Sequence, residues 1–387
     1  MSKKIKIVRI TTVPQSLWKI MEGQLAYMNK FYEMYAVSTP GDKLEIVKNR
    51  EGVKTVGIEM KRGIAPFSDL VSLWQLIKFM RFAKPDIVHT HSPKAGLLGM
   101  LAASFTGVKI RLHTVAGMPL ESRKGWVRLM LMQMEKLTYS KAHMVFPNSV
   151  SLKNFILENK FSNPNKVRVL GHGSSNGIDL EHFGATESLK KEGEKLRNSL
   201  GIAKGTVVFG FLGRMVKDKG VNELVRSFKR MKDNDKNVAL VMGGKFEDHL
   251  DPLESEVRSY IDKSKDIHFL GYLADVRPML MMTDVFVFPS HREGLPGALL
   301  QAAAMGCAII AAEATGSKDI INNENGILTR IGEEEDIYNA MVAYLNPDKR
   351  KTKQSKVSQS IAEKYDRNYV WECIRREYET QLDNHIS

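Results

Sequence analysis

Short apolar runs alternate with stretches of helical spacing along the whole chain, and this alternation predicts a parallel α/β architecture. In the first half the runs predict strands over 4–12, 34–38, 86–90, 109–113, 143–147 and 166–170. Helical spacing fills the intervals, as over 68–82 and 94–105. The pattern restarts at 206–212 and continues through 238–243, 267–270, 285–289 and 308–311. Two such sets imply two Rossmann-like domains, expected to face each other across a central cleft at the carboxyl ends of both sheets. The stretch 171–205, rich in Gly, Ser, Asn and Lys, reads as the linker and the opening of the second domain. A final helix over 367–382 has no strand to follow and is expected to cross back. The expected domains are therefore 1–170 with 366–387, and 171–365, with hinge motion at 171–177 and near the last helix.

Residues 294–312 are 19 positions without a charge, but Pro296, Gln301 and Gly306 interrupt them. They predict a buried helix and then a buried strand rather than a membrane span. The first residues, MSKKIKIVRITTV, alternate basic and apolar side chains and read as a strand, not a signal peptide.

Composition narrows the class. With 43% hydrophobic, 26% charged and 8% aromatic residues, a disordered, collagen-like or disulfide-stapled chain is excluded. Cys307 and Cys373 cannot make a disulfide framework, which points to a reducing, cytoplasmic setting. The net charge of +13 is lopsided: residues 1–180 carry 27 basic and 12 acidic side chains, residues 181–387 carry 30 and 32. An anionic partner is expected on the first half. No zinc-finger spacing, RNP sequence or basic zipper favours nucleic acid. An acidic membrane surface and a phosphate-bearing substrate remain. Segment 123–141 mixes Lys and Arg with Trp126, Leu129, Met130, Met132 and Met134. That is the composition of an interfacial helix, and equally of a core-facing amphipathic one.

Candidate chemistry collects just after strands. Gly213-Arg214 and Lys219-Gly220 follow 206–212 and open a helix, so a glycine turn, two cations and free N–H groups offer a diphosphate site. It is not a P-loop, because GxxxxGK[ST] is absent. Glu293 follows 285–289 and precedes another helix start at Gly294, Leu295 and Gly297; a carboxylate there suits sugar hydroxyls better than phosphate. In the first half, one strand ends in His89-Thr-His91-Ser-Pro-Lys94 and the next ends in His113. Three histidines without an acidic or thiolate companion point to polar contacts rather than to a metal. Gly171-His-Gly173-Ser-Ser-Asn-Gly177 misses the dinucleotide spacing by one residue, and Asp233-Asn-Asp235 falls at the wrong sheet end for a metal-nucleotide motif.

Together these segments resemble the group 1 (family 4) retaining glycosyltransferases of the GT-B fold, over nearly the whole chain. FGFLGRMVKDKGVNELVRSF is similar to the family's G-R-x(4)-K-G element, and SSNGIDLEHF to its N-G-V-D-x-x-x-F segment. EGLPGALLQAAAMGCAIIAAEATGSKDII resembles the E-x7-E region. PDIVHTHSPKAGLLG and RLHTVAGMP look like the subset that builds capsular polysaccharide and O-antigen on a lipid carrier.

The resemblance implies that Arg214 and Lys219 hold the donor diphosphate, with Gly213 in their turn. His113 would contact the donor sugar and Glu293 its hydroxyls, with backbone at Gly294–Gly297 on sugar or phosphate. His91, Lys94 and Ser16 would lie on the acceptor side. It further implies a UDP-sugar co-substrate, no metal or other cofactor, a lipid-linked sugar acceptor, and a peripheral place at the inner face of a bacterial membrane. Gln301 stands at the second Glu of E-x7-E, so the contact to the ribose loses a charge. Ala116 replaces a histidine of close relatives, and the 12–18 loop lacks their paired glycines. Two other outcomes are open: a catalytically silent binding subunit, with Gln301 as a symptom, or another GT-B enzyme such as a UDP-sugar epimerase.

Overall fold

The computed structural model describes residues 4–61, 63, 65–118, 120, 125–249 and 251–386. The chain divides into two compact units, 1–177 with 367–387, and 178–366. The expected breaks lie seven residues and one residue away.

The first unit holds β1 (Lys6–Ile10), β2 (Glu33–Ser38), β3 (Lys54–Gly57), β4 (Ile87–His91), β5 (Ile110–Val115) and β6 (Met144–Pro147). They form one sheet in the order β3-β2-β1-β4-β5-β6, parallel at every pairing. The second unit holds β7 (Val207–Leu212), β8 (Val238–Gly243), β9 (Ile267–Phe269), β10 (Val285–Phe288), β11 (Ala308–Ala312) and β12 (Ile327–Thr329). Their order is β12-β11-β10-β7-β8-β9, again parallel throughout. Read from the other edge, this is the same 3-2-1-4-5-6 order, so each sheet reverses direction once: between β1 and β4, and between β7 and β10. In open α/β sheets ligands bind beyond the strand ends at that reversal.

The central strands are buried along both faces, β4, β8, β10 and β11 at every residue. Their side chains therefore read as continuous apolar runs, which is why the pattern was visible. Two edge strands escaped it. β3 is a short polar edge (Lys-Thr-Val-Gly) and β12 has three residues. The strand expected over 166–170 does not form: Pro164–Lys166 is a 3-10 turn, and only Val167 bridges back to Val145. The stretch 171–205 is not all linker either. Thr186 caps a helix, Glu187–Ser199, which buries Leu189 and Gly193. The run 294–312 is the helix Gly297–Ala304 followed by β11, as its small residues implied.

The final helix, Arg367–Ile386, packs in the first unit. Val370, Trp371, Ile374 and Tyr378 are buried with Ile7, Leu17, Met21 and Leu25. Gly23 (φ +78°) permits this, since a Cβ there would stand 2.8 Å from the Trp371 ring. Arg9, wholly buried on β1, donates to the Tyr378 hydroxyl and, at 2.7 Å, to Gln24 Oε1. Gln24 in turn donates to the Ser175 carbonyl at 2.9 Å, which fixes the last residues before the chain leaves this unit. Among the described residues, no helix is long and apolar enough to cross a membrane.

Candidate active site

At the β7/β10 reversal, the sequence candidates come together. Lys219, on a 3-10 turn after β7, donates to Glu293 Oε1 at 2.5 Å, and both side chains are about one-seventh exposed (14% and 15%). Ser290 Oγ lies 3.4 Å from the same ammonium. What brings the two strand-end loops this close is Gly220 (φ +70°): a Cβ there would sit 2.1 Å from the Pro289 carbonyl oxygen, so no other residue fits.

Arg214 reaches Glu247 Oε2 at 3.0 Å and Asp218 at 3.8 Å. Asp218 also takes Arg292 at 2.9 Å. Arg292 and Asp218 were not singled out in the sequence, although both lie within the segments that were. The site thus gathers three cations on three carboxylates from three loops, those that follow β7, β8 and β10. An ammonium carries three donors, so Lys219 can keep Glu293 and still offer an N–H to a phosphate oxygen.

Beyond Glu293 the chain turns into the helix Gly297–Ala304, whose first turn has neither a capping side chain nor an acid. Its leading N–H groups are open to an acceptor, and nothing lies within 4 Å of where a Gly297 Cβ would be. Gly316 (φ +78°) supports this turn from behind, packed on the Gly294 carbonyl. Leu295 and Gln301 are half-buried on this turn and helix. His291 pairs with Glu223 at 3.0 Å, and that hydrogen bond raises its pKa. The triplet 233–235 is exposed at the far end of its helix, as expected of a solvated turn.

The first unit's reversal is built differently. Thr12 and Ser92, just past β1 and β4, are joined hydroxyl to hydroxyl at 2.8 Å. Ser92 has φ +71°, a strained conformation for a residue with a side chain and one that marks this turn. His113 is 1% exposed, bonded through Nδ1 to Thr90 Oγ1 at 2.8 Å. Its ring fills the space left by Gly96, whose Cβ would fall 2.5 Å from Cε1. Burial drives its pKa down to about 3, so it is a neutral hydrogen-bonding group. His89 and His91 stack at 4.6 Å and are held neutral by the same desolvation.

His89 is spent inside the fold on Tyr378 and Thr114, both at 2.7 Å. Lys94 is not a free cation: it is buried and ion-paired to Asp69 on the neighbouring helix. Ser16 sits half-buried on a short π-helical turn, Ser16–Ile20. His91 Nε2, Asn148 Oδ1 and Ser175 Oγ are buried without a protein partner and line one cavity of about 10 Å³. That is close to the least space that holds a water. No group of three or more His, Cys, Asp or Glu that could hold a metal occurs among the described residues.

Two family models match the chain: glycosyl transferases group 1 over residues 206–347, and glycosyl transferase 4-like domain over 28–173. The chain is 34% identical over 98% of its length, and 98% of the relative's, to a capsular polysaccharide biosynthesis glycosyltransferase, CapM, of Staphylococcus aureus. It is 29% identical, over 73% of the chain and 72% of the relative, to an Escherichia coli UDP-Gal:alpha-D-GlcNAc-diphosphoundecaprenol alpha-1,3-galactosyltransferase. The crystal structure of Anabaena HepE with UDP and glucose superposes with a TM-score of 0.81 at 16% identity, covering 97% of this chain and all of that one. The fold is GT-B. The chain belongs to the group 1, family 4 glycosyltransferases.

Proposed function

We propose that the protein moves a hexose or N-acetylhexosamine from a UDP-sugar to a sugar carried on a polyprenyl diphosphate, with retention of configuration, during cell-surface polysaccharide synthesis. The observation that carries this reading is the Lys219–Glu293 pair, with Arg214 beside it, at the reversal of the second sheet. Cation and carboxylate side by side match a ligand that is phosphate at one end and hydroxyls at the other. The names of the two relatives support the pathway and the chemistry of donor and acceptor.

In this reading Arg214 and Lys219 bind the diphosphate and meet the charge that grows on it as the sugar–oxygen bond breaks. Such positioned charge is commonly the largest catalytic contribution. Glu293 accepts hydrogen bonds from the sugar hydroxyls, and the N–H groups from Gly294 to Gly297 meet sugar or phosphate. Neutral His113 offers the donor sugar a hydrogen bond, and Gln301 the ribose. The acceptor oxygen bonds to the anomeric carbon on the face the diphosphate leaves, and its proton passes to the departing phosphate oxygen. No protein nucleophile or metal is assigned a step. The first unit, with 30 basic and 15 acidic side chains, takes the acceptor side against an anionic membrane, at its inner face.

The test is product analysis with a panel of UDP-sugars and a short-chain polyprenyl-diphosphate sugar, with and without EDTA. A product of retained anomeric configuration, formed equally with chelator, is expected. An inverted product overturns the mechanism; UDP binding without any transfer would favour the silent subunit.

A further inference from the structure

The helix Pro66–Ala83 is apolar nearly all round. Its inner face buries Ser72, Leu76, Met80 and Ala83, with Leu73, Ile77 and Phe79 packed at the margin of the core. Its outer face carries Phe67, Leu70, Val71 and Trp74, at 88%, 64%, 57% and 61% exposure. These are positions i, i+3, i+4 and i+7, a continuous stripe over the first two turns. A surface helix normally turns charged and polar residues to water, and a stripe of this kind marks a contact surface. Exposed Lys61, Lys78 and Arg81 flank it, and the Lys78 ammonium stands 5.5 Å over the Trp74 ring.

We propose that this face docks the protein on an anionic lipid surface, lying in the headgroup region. The inference rests on the lipid-linked acceptor proposed above and assigns it a docking site. Charge selects the occupant. The unit that bears the stripe has an excess of 15 basic side chains, so pairing two copies through it sets like charge against like, whereas an anionic bilayer attracts it. An amphipathic helix of aromatic and aliphatic residues flanked by Lys and Arg is also the composition that binds at an interface without spanning it.

The stripe is tied to the acceptor side. Asp69, between Phe67 and Leu70, holds buried Lys94, which opens the next helix three residues after His91. The docked helix therefore sets the height of the β4 strand end over the lipid headgroups, where a diphosphate-linked sugar would be presented.

The experiment is vesicle flotation with phosphatidylglycerol–phosphatidylcholine vesicles and with phosphatidylcholine alone, alongside UDP titration and light scattering. Wild type is expected to bind the anionic vesicles. Phe67→Ser/Leu70→Ser/Trp74→Ser should bind them at least about tenfold more weakly, since three large apolar side chains are lost from the contact. Lys78→Glu/Arg81→Glu should lose the preference for anionic lipid, and all variants should bind UDP like wild type. Leu70→Asp alone serves if the triple variant fails to fold. Wild type that ignores vesicles, a triple variant within threefold of it, or a wild-type dimer that the variant makes monomeric would overturn the proposal. Docking lost with transfer to a water-soluble acceptor intact leaves the reaction standing; UDP binding lost in wild type strikes the reaction, not the surface.

Discussion

The two units share a strand order and differ in how charge is placed. The first unit has 30 basic and 15 acidic side chains, yet its sheet reversal holds little exposed charge: histidines stripped of charge by burial, a Thr–Ser hydroxyl pair, a lysine already matched to Asp69, and a wholly buried Arg9. The second has 27 basic and 29 acidic side chains, and its reversal concentrates Arg214, Lys219 and Arg292 on three carboxylates. Net charge is thus a statement about long-range partners, and the strand ends are where chemistry is read. In the reading proposed above, the basic excess of the first unit serves a surface and the local cluster of paired ions in the second serves a substrate.

The largest expected effect falls where the ions are. Lys219→Ala should lower kcat/KM by about 10² to 10³, the range for removing one preorganised donor from a growing charge. Stability should fall as well, because the substitution leaves the mostly buried Glu293 carboxylate without its cation. A loss under tenfold with any UDP-sugar the wild type accepts would move the diphosphate elsewhere.

The second effect separates the units by pH. His113 has its folded pKa lowered to about 3 by burial, from an ordinary 6.5. Below 6.5 the unfolded chain takes up a proton that the fold refuses, so stability is full above that pH and is lost as pH falls toward 3. His291 in the second unit runs the other way: the Glu223 hydrogen bond raises its pKa, so its contribution is full below 6.5 and fades as pH rises through the raised value. Between pH 7 and 5, wild type should lose about 2 kcal/mol more than His113→Gln in urea unfolding of the first unit. Parallel losses would mean that His113 is protonated in the fold.

The smallest effect sharpens the donor end. Gln301 offers a neutral acceptor where a carboxylate is expected to meet the ribose, and Gln301→Glu should tighten UDP by about 1 to 2 kcal/mol. Equal affinities by calorimetry would remove Gln301 from the nucleotide contact.

Much of this was legible in the sequence because parallel strands covered on both faces read as unbroken apolar runs, and because the candidate residues sit at their ends. Lys219 and Glu293 were identifiable singly from that position. Their pairing was not: 74 residues separate them, and the contact depends on Gly220 meeting the Pro289 carbonyl. The partner of Lys94 was hidden for the same reason, since Asp69 lies on a helix whose outer stripe resembles a core face. The misplaced strand at 166–170 shows the opposite limit. Lys-Val-Arg-Val-Leu alternates well, but local alternation cannot tell whether a sheet has room for another strand. The charged helix Glu187–Ser199 was lost in composition typical of a linker. Of the basic segment at 123–141, Arg123 and Lys124 lie outside the described residues; the helix Gly125–Lys141 both buries Tyr139 and exposes Trp126 and Leu129.

The central claim is that the paired ions after β7 and β10 form a nucleoside-diphosphate site. Calorimetric titration with UDP and GDP, on wild type and on Arg214→Ala/Lys219→Ala, tests it most directly. The account predicts that wild type binds UDP in preference to GDP and that the double variant, still folded, binds neither. UDP binding that survives in the double variant would contradict it.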